Sequence, residues 1–148
     1  MSYKSKRGTR LAKDNHMAEK REKSYNLEFR YEPDYSYVRA TGIRSIENMF
    51  PITQECVEAC LKRGYKKVLL DARELIGRLS VSEIYGTGRD LADRFKSYPR
   101  LELAVIDLDE NRKNFKFFED VLVNLGYNVG FFSDVADAKQ WLGVKEET

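Results

Sequence analysis

Residues 67–84, KVLLDARELIGRLSVSEI, carry the two signals that decide the fold. The first, Lys67–Asp71, has three consecutive apolar residues, which is typical of a strand that is covered on both faces in a parallel sheet. The second is Ser80 with Glu83 three residues later, the spacing of a capping box at the start of a helix. A strand, a loop and a capped helix in this order indicate an α/β domain.

The residues before this stretch predict a hairpin and a first helix. Asn26–Tyr31 and Tyr35–Ala40 alternate apolar and polar residues, as strands with one wet face do. Apolar residues then recur at helical spacing until Gly64 ends the pattern, and Pro51 is expected in the first turn of this helix. The apolar stripe consists of Ile52, Cys56, Val57, Cys60 and Leu61.

The residues after it predict two more strands, each followed by a helix. The strands are Leu101–Asp107 and Tyr127–Phe132, and Ser133 or Asp134 is expected to cap the last helix. The third helix is expected to bury the stripe Phe115, Phe118, Leu122 and Leu125. Right-handed crossovers then give a single α/β domain, a mixed sheet with an N-terminal hairpin followed by alternating helices and parallel strands.

Composition limits the size and the chemistry of the protein. The sequence has 148 residues, of which 42% are hydrophobic and 34% charged, and this suits one globular domain. No run approaches the roughly 18 apolar residues of a membrane span, so we expect a cytoplasmic protein. Two cysteines and one histidine are too few for a disulfide framework, a zinc site or a histidine-based triad. We therefore read Cys56 and Cys60 as core residues and expect neither a cofactor nor a metal.

The first 24 residues differ in charge from the rest of the chain. Residues 1–24 contain eight Lys or Arg and three Asp or Glu, with few apolar side chains, so we expect a basic, disordered tail followed by a domain over residues 25–148. The tail could make weak contacts with nucleic acid or another acidic surface. Its candidate contact residues are Lys4, Lys6, Arg7, Arg10 and Lys13.

Four features together resemble a STAS-type domain. They are the order of elements, the strand that ends at Asp71, the helix that starts near Ser80 and the closing segment Phe132–Leu142. More narrowly, residues 25–143 resemble the SpoIIAA-like branch, named after anti-sigma-factor antagonists. The resemblance implies a non-enzymatic regulatory module. It also implies a serine at the start of the second helix that a partner kinase phosphorylates, which falls close to Ser80. This sequence has Leu79 where the family has aspartate.

Ser80, and after it Ser82, are thus phosphoacceptor candidates. Unpaired N–H groups at a helix start carry about half a positive charge and would hold a phosphate. The same hydroxyls also cap the helix without modification, which is worth roughly 1 kcal/mol. Both interpretations stay open, structural capping and control by phosphorylation.

Acidic side chains are expected at the same edge of the sheet. Asp71 and Asp107 each end an inferred parallel strand, and ligands of open α/β sheets collect outside such ends. With Asp109 they could bind Mg²⁺, which gives an alternative function, a small metal-dependent phosphate-handling enzyme. Asp109 or Asn111 could instead cap the third helix. Glu83, and Phe117 because it lies off the helical stripe, complete the expected partner or ligand rim.

The leading hypothesis is a non-enzymatic regulatory or protein-interaction module without catalytic residues. Its partner would be a protein, such as a kinase or a regulatory protein, bound through the second-helix region or the hairpin edge, and a homodimer is a further option. It requires an exposed serine turn beside an apolar patch. A third alternative, an apolar small-molecule or lipid-binding carrier, follows from the aromatic content and requires a sizeable enclosed cavity.

Overall fold

The computed structural model describes residues 23–124 and 126–145, and these residues form five strands and four helices. Strands and helices follow one another in the order that the sequence predicts. The elements are β1 (Tyr25–Tyr31), β2 (Ser36–Ile43), α1 (Ile46–Lys62), β3 (Lys67–Ile76), α2 (Val81–Phe95), β4 (Glu102–Ile106), α3 (Asp109–Asn124), β5 (Asn128–Phe132) and α4 (Val135–Leu142).

The strands form one sheet in the order β1-β2-β3-β4-β5. β1 and β2 are antiparallel, and each later pair is parallel, with Leu70 of β3 opposite both Val38 of β2 and Val105 of β4. Each parallel strand lies next to its predecessor, so right-handed crossovers place the connecting helices on the same face. The mixed α/β sheet is therefore confirmed.

Each face of the sheet packs on its own hydrophobic cluster. Val68 and Leu70 of β3 belong to the larger cluster, with buried residues of α1, α2 and α3, whereas Leu69 between them packs with α4. Cys56 and Cys60 are free thiols inside the larger cluster, as predicted. Phe115, Phe118 and Leu122 of the predicted α3 stripe are buried there too, while Leu125 lies outside the described residues.

The strand β3 is longer than predicted. The sequence places its end at Asp71, but it continues to Ile76, because Thr41–Ile43 of β2 pair with Glu74–Ile76 beyond a register shift. Polar residues after Asp71 conceal this continuation in the sequence, although Leu75 is buried. The expectation that Asp71 ends its strand is therefore wrong, since it lies inside β3.

The helix α1 begins earlier than predicted. Ser45 is its N-cap, and the Ser45 hydroxyl accepts a hydrogen bond from the backbone N–H of Asn48 at 3.3 Å. Pro51 is consequently the sixth residue of the helix rather than a residue of its first turn. At that position proline removes one hydrogen bond from the helix interior.

Candidate functional site

Ser80 is the N-cap of α2. Its hydroxyl accepts a hydrogen bond from the backbone N–H of Glu83 at 3.1 Å, and the Glu83 carboxylate accepts one from the backbone N–H of Ser80 at 2.8 Å. This reciprocal pair is the capping box. Leu79 is 6% exposed and anchors the turn in the core. The predicted start of the second helix is therefore confirmed.

Ser80 and Ser82 are both exposed. Their hydroxyl oxygens are 3.2 Å apart and share a hydrogen bond. The first N–H groups of a helix have no carbonyl partner within the helix and form the positive end of its dipole. The two hydroxyls are thus accessible to solvent and adjacent to a partly positive surface.

Large apolar side chains are exposed at the same edge of the sheet. Ile43 and Ile76 are paired residues at the ends of β2 and β3 and are 45% and 70% exposed. Leu108, which is 40% exposed, closely follows the end of β4. We call the exposed set of Ile43, Ile76, Ser80, Ser82 and Leu108 the serine rim.

An aromatic pair lies between α2 and α3. The rings of Tyr85 and Phe117 are 5.4 Å apart and both remain partly exposed. The off-stripe position of Phe117 predicts its exposure, and the structure shows this. Tyr85 was not among the candidates from sequence, although its place in the second turn after Ser80 puts it close to the serine turn.

Arg44 lies behind the serine rim and was missed by the sequence analysis. It is 5% exposed. Its Nε donates to the carbonyl of Gly77 at 2.9 Å, and its Nη2 donates to the carbonyls of Ala72 at 3.2 Å and Leu75 at 3.1 Å. The guanidinium therefore holds the end of β3 and the start of the loop that leads to the serine turn.

Asp107 is the ion-pair partner of Arg44. Its two carboxylate oxygens accept from Nη1 at 2.7 Å and from Nη2 at 3.0 Å, a bidentate geometry. The backbone N–H of Leu108 and the side-chain amide of Asn111 also donate to it, at 2.7 and 3.1 Å. Asp107 is 1% exposed, and burial raises the pKa of its carboxyl although Arg44 opposes this. The carboxylate links β4, through Arg44, to the start of the loop before the serine turn instead of facing solvent.

Asp71 lies on the other face of the sheet. The hydroxyl of Tyr37 donates to it at 2.5 Å, and Arg73 donates from Nε at 2.9 Å and from Nη2 at 2.8 Å. Burial acts to raise its pKa, but the hydrogen bonds from Arg73 and Tyr37 outweigh this and lower it. Burial and the bond to Asp71 in turn raise the pKa of Tyr37 to about 12.

The predicted acidic residues do not converge. Asp71 and Asp107 have separate partners on opposite faces of the sheet, and Asp109 is exposed in the first turn of α3. Within residues 23–124 and 126–145, no group of three or more His, Cys, Asp or Glu side chains could hold a metal ion. The described residues therefore lack the carboxylate pocket that the metal-dependent enzyme requires.

The serine turn and Glu83 do come together as the sequence indicates. For Arg44 and Asn111, no comparable sequence pattern indicates their place in the site. Arg44 is 63 positions from Asp107, so only the folded chain shows the pair. Arg44 does lie directly before the N-cap Ser45, and Gly77, which receives its Nε hydrogen bond, has a φ of +121° that favours glycine. A Cβ at Gly77 would lie 2.9 Å from the carbonyl oxygen of Arg44.

The predicted basic contact residues belong to the N-terminal tail. Lys4, Lys6, Arg7, Arg10 and Lys13 fall outside the described residues. None of the helices in the described part of the chain is long and apolar enough to cross a membrane.

Comparison with solved structures identifies the fold as STAS-like. The crystal structure of an anti-sigma factor antagonist from Mycobacterium paratuberculosis is similar to this chain with a TM-score of 0.55 and 12% sequence identity, covering 81% of this chain and 95% of that chain. The NMR structure of the protein TM1081 has a TM-score of 0.44 and 17% identity, covering 81% and 90%. No protein-family model and no curated protein sequence matches the chain. The STAS-like fold that the sequence predicts is thus confirmed.

Proposed function

We propose that this protein is a regulatory module without enzymatic activity of its own that binds a protein partner through the serine rim. The observation that carries the proposal is the exposed serine turn at the same edge of the sheet as the exposed apolar side chains. The likeness in fold to an anti-sigma factor antagonist supports a role of this kind. The same proposal includes a basic tail over residues 1–24, a domain over residues 25–148 and a cytoplasmic location.

The apolar part of the serine rim supplies the binding energy in this proposal. Ile76 is 70% exposed and its strand neighbour Ile43 is 45% exposed, so a partner can remove most of both side chains from water. Burying apolar surface contributes about 25 cal/mol per Å². Contiguous exposed apolar side chains bordered by polar residues are typical of protein interaction sites.

We further propose that phosphorylation of Ser80, with Ser82 as the second acceptor, controls this binding. A phosphoserine carries about −1.5 to −2 charge, which the helix N-terminus attracts. The same phosphate would repel the Glu83 carboxylate, which accepts from the backbone N–H of Ser80. Arg78, two residues earlier, is exposed and lies 4.0 Å from Glu110, so a cationic side chain stands close to Ser80 in the sequence. Phosphorylation would thus rearrange the serine turn and change the charge of the binding surface.

The binding surface can be tested with two matched substitutions. Ile76→Glu places a charge in the serine rim, whereas Val123→Glu places one on a 47% exposed valine at the far end of α3. Proteins captured by the wild type are identified by mass spectrometry, and the affinity of each purified partner is then measured by calorimetry. We expect Ile76→Glu to weaken binding at least tenfold and Val123→Glu to leave it unchanged. Equal effects of the two substitutions would rule the serine rim out.

Control by phosphorylation can be tested with substitutions of Ser80 that separate the added negative charge from helix capping. Asp and Asn are both good N-cap residues, but only Asp adds negative charge. We expect Ser80→Asp to weaken capture of the partner and Ser80→Asn to preserve it. Equal capture by the wild type and Ser80→Asp would contradict control by phosphorylation while leaving the binding surface intact.

A further inference from the structure

A second site lies at the opposite edge of the sheet. An apolar cleft of about 80 Å³ opens between the middle of α1, the end of α2 and the first residues of β4 and β5. Its walls include Val57, Phe95, Leu103, Leu122 and Val129. This edge holds the amino ends of parallel strands whose carboxyl ends form the serine rim, so the cleft is separate from the proposed partner surface.

A wider space with charged residues in its lining lies next to the cleft. This outer space of about 250 Å³ shares Ala92, Arg100 and Tyr127 with the apolar cleft, so the two are adjacent. The guanidinium of Arg100 stacks on the Tyr127 ring with its central carbon 4.1 Å from the ring centroid. Arg100 therefore stands at the junction of the apolar and the polar part.

The outer space has an excess of positive charge. Arg89, Lys96 and Arg100 line it, with Asp93 as its acidic residue. Asp93 pairs with Lys96 at 3.2 Å, and within the described residues neither Arg89 nor Arg100 forms an ion pair. Cations are common near the C-terminus of a helix, but here Arg100 borders the apolar cleft, Arg89 borders the adjacent space, and neither has a carboxylate partner among the residues that the structure describes.

The size of the apolar part limits what can enter it. A cavity of about 150 Å³ lined by apolar side chains admits benzene, and this cleft has roughly half that volume. It accommodates a branched or straight chain of about three carbons, such as an isopropyl group, and is smaller than the cavity that admits a ring. A ligand that fills the cleft and reaches Arg100 must therefore be short, apolar at one end and anionic at the other.

We propose that this cleft binds a short-chain carboxylate, with its alkyl end between α1, α2 and β4 and its carboxylate on Arg100 and Arg89. Arginine recognises a carboxylate through paired N–H donors. Few buried atoms take part, so the affinity belongs to the millimolar range typical of small ligands. This site goes beyond the proposed partner binding and does not depend on it.

The test uses the full chain and 4-methylpentanoate as the probe, followed by amide NMR titration. We expect saturable shifts around Ala92, Leu101 and Val129, and weaker binding of the uncharged 4-methylpentanol and of the ring-bearing 3-phenylpropanoate. Arg100→Gln should weaken binding about fivefold. Arg94→Gln is the matched control, because Arg94 is an exposed arginine at the same end of α2 that stacks on Phe50 instead.

Two substitutions fill the cleft from different helices. Ala92→Leu from α2 and Thr53→Leu from α1 should each abolish the shifts while the rest of the amide spectrum stays that of a folded protein. Two variants are used so that a folding defect in one leaves the other informative. The absence of saturable shifts in the wild type by about 10 mM, ten times the midpoint of a 1 mM complex, would overturn the proposal. Equal weakening by Arg100→Gln and Arg94→Gln would overturn it as well, since it would mean nonspecific attraction of charge.

Discussion

Asp107 and Asp71 lie on opposite faces of the sheet, and their surroundings differ. Asp107 is enclosed with Arg44, whose side chain is 3% exposed, beneath the layer of α1, α2 and α3. Asp71 is just as buried, but its partner Arg73 is 38% exposed. From this contrast we expect that the burial of both members of a pair, more than that of the carboxylate alone, determines how strongly the fold depends on the pair.

The difference arises from the helices that cover each face. Three helices pack on the face of Asp107, whereas the face of Asp71 is covered by the eight-residue α4, which packs on β3, β4 and β5. The neighbouring face of β1 and β2 keeps exposed charges, with Arg39 paired to Glu28 and Glu74. Asp71 thus lies where the part of the sheet that α4 covers meets the uncovered part, and its partner Arg73 reaches solvent.

The largest expected effect follows from removing the enclosed partner. Arg44→Met leaves Asp107 buried without its cation and leaves the carbonyls of Ala72, Leu75 and Gly77 without that donor. Breaking one side of a buried pair typically costs about 3 to 5 kcal/mol. We expect a loss of that size in the free energy of unfolding, measured by urea denaturation at pH 7.

The cause of this loss can be checked by a second substitution and by pH. In Arg44→Met/Asp107→Asn no unpaired charge remains, so part of the loss should be recovered. Removal of Arg44 raises the already raised pKa of Asp107 further, so the folded form of Arg44→Met binds a proton more readily than the unfolded form. Its stability should therefore rise as the pH falls from 7 toward the unfolded pKa of about 3.9. A loss below about 1 kcal/mol would show that the enclosed pair is no stronger than a surface pair.

A smaller effect is expected at Asp71. Asp71→Asn keeps the shape but removes the charge to which Tyr37 and Arg73 donate, and hydrogen bonds to charged groups contribute about 1.5 to 3 kcal/mol each before solvent screening. Because Arg73 is partly exposed, we expect a loss of about 1 to 2 kcal/mol in urea denaturation at pH 7.

The pH dependence of Asp71→Asn distinguishes it from Arg44→Met. The pKa of Asp71 is lowered in the folded state, so its stabilisation is complete above the unfolded value of about 3.9 and is lost as the pH falls through the folded value. The gap between the wild type and Asp71→Asn should therefore close below about pH 4. A gap that stays constant to pH 2 would show that the charge of Asp71 does not stabilise the fold.

Local signals in the sequence predicted most of the fold. Ser80 and Glu83 are three residues apart, so the start of α2 was readable, and the order of strands and helices followed from apolar spacing. The environments of Asp71 and Asp107 were not readable, because their partners are far along the chain: Tyr37 is 34 positions from Asp71, and Arg44 is 63 positions from Asp107. In the sequence, each of the two aspartates simply follows an apolar run, so the sequence pattern does not distinguish their environments.

A third prediction concerns the exposed capping box of Ser80 and Glu83, which lies at the end of the loop that Arg44 holds. Ser80→Ala removes the acceptor for the backbone N–H of Glu83, which typically costs about 1 kcal/mol. Ser80→Asn retains an acceptor and should stay within a few tenths of a kcal/mol of the wild type. Urea denaturation measures both, and a loss in Ser80→Ala as large as in Arg44→Met would mean that burial does not rank these networks.

The smallest effect is expected where both partners face solvent. Arg39 donates to Glu28 at 2.7 Å and to Glu74 at 2.9 Å, and it thus connects β1, β2 and β3. These bonds are as short as those of Arg44, but water and salt screen exposed charges, and fixing long side chains costs entropy. We expect no resolvable change in the urea midpoint for Arg39→Gln in 0.15 M salt, the ionic strength at which the screening length is about 8 Å. A change comparable to that of Asp71→Asn would contradict this ranking of pairs by burial. The contribution of a pair to stability would then depend on the number of strands that it joins, and not on its burial.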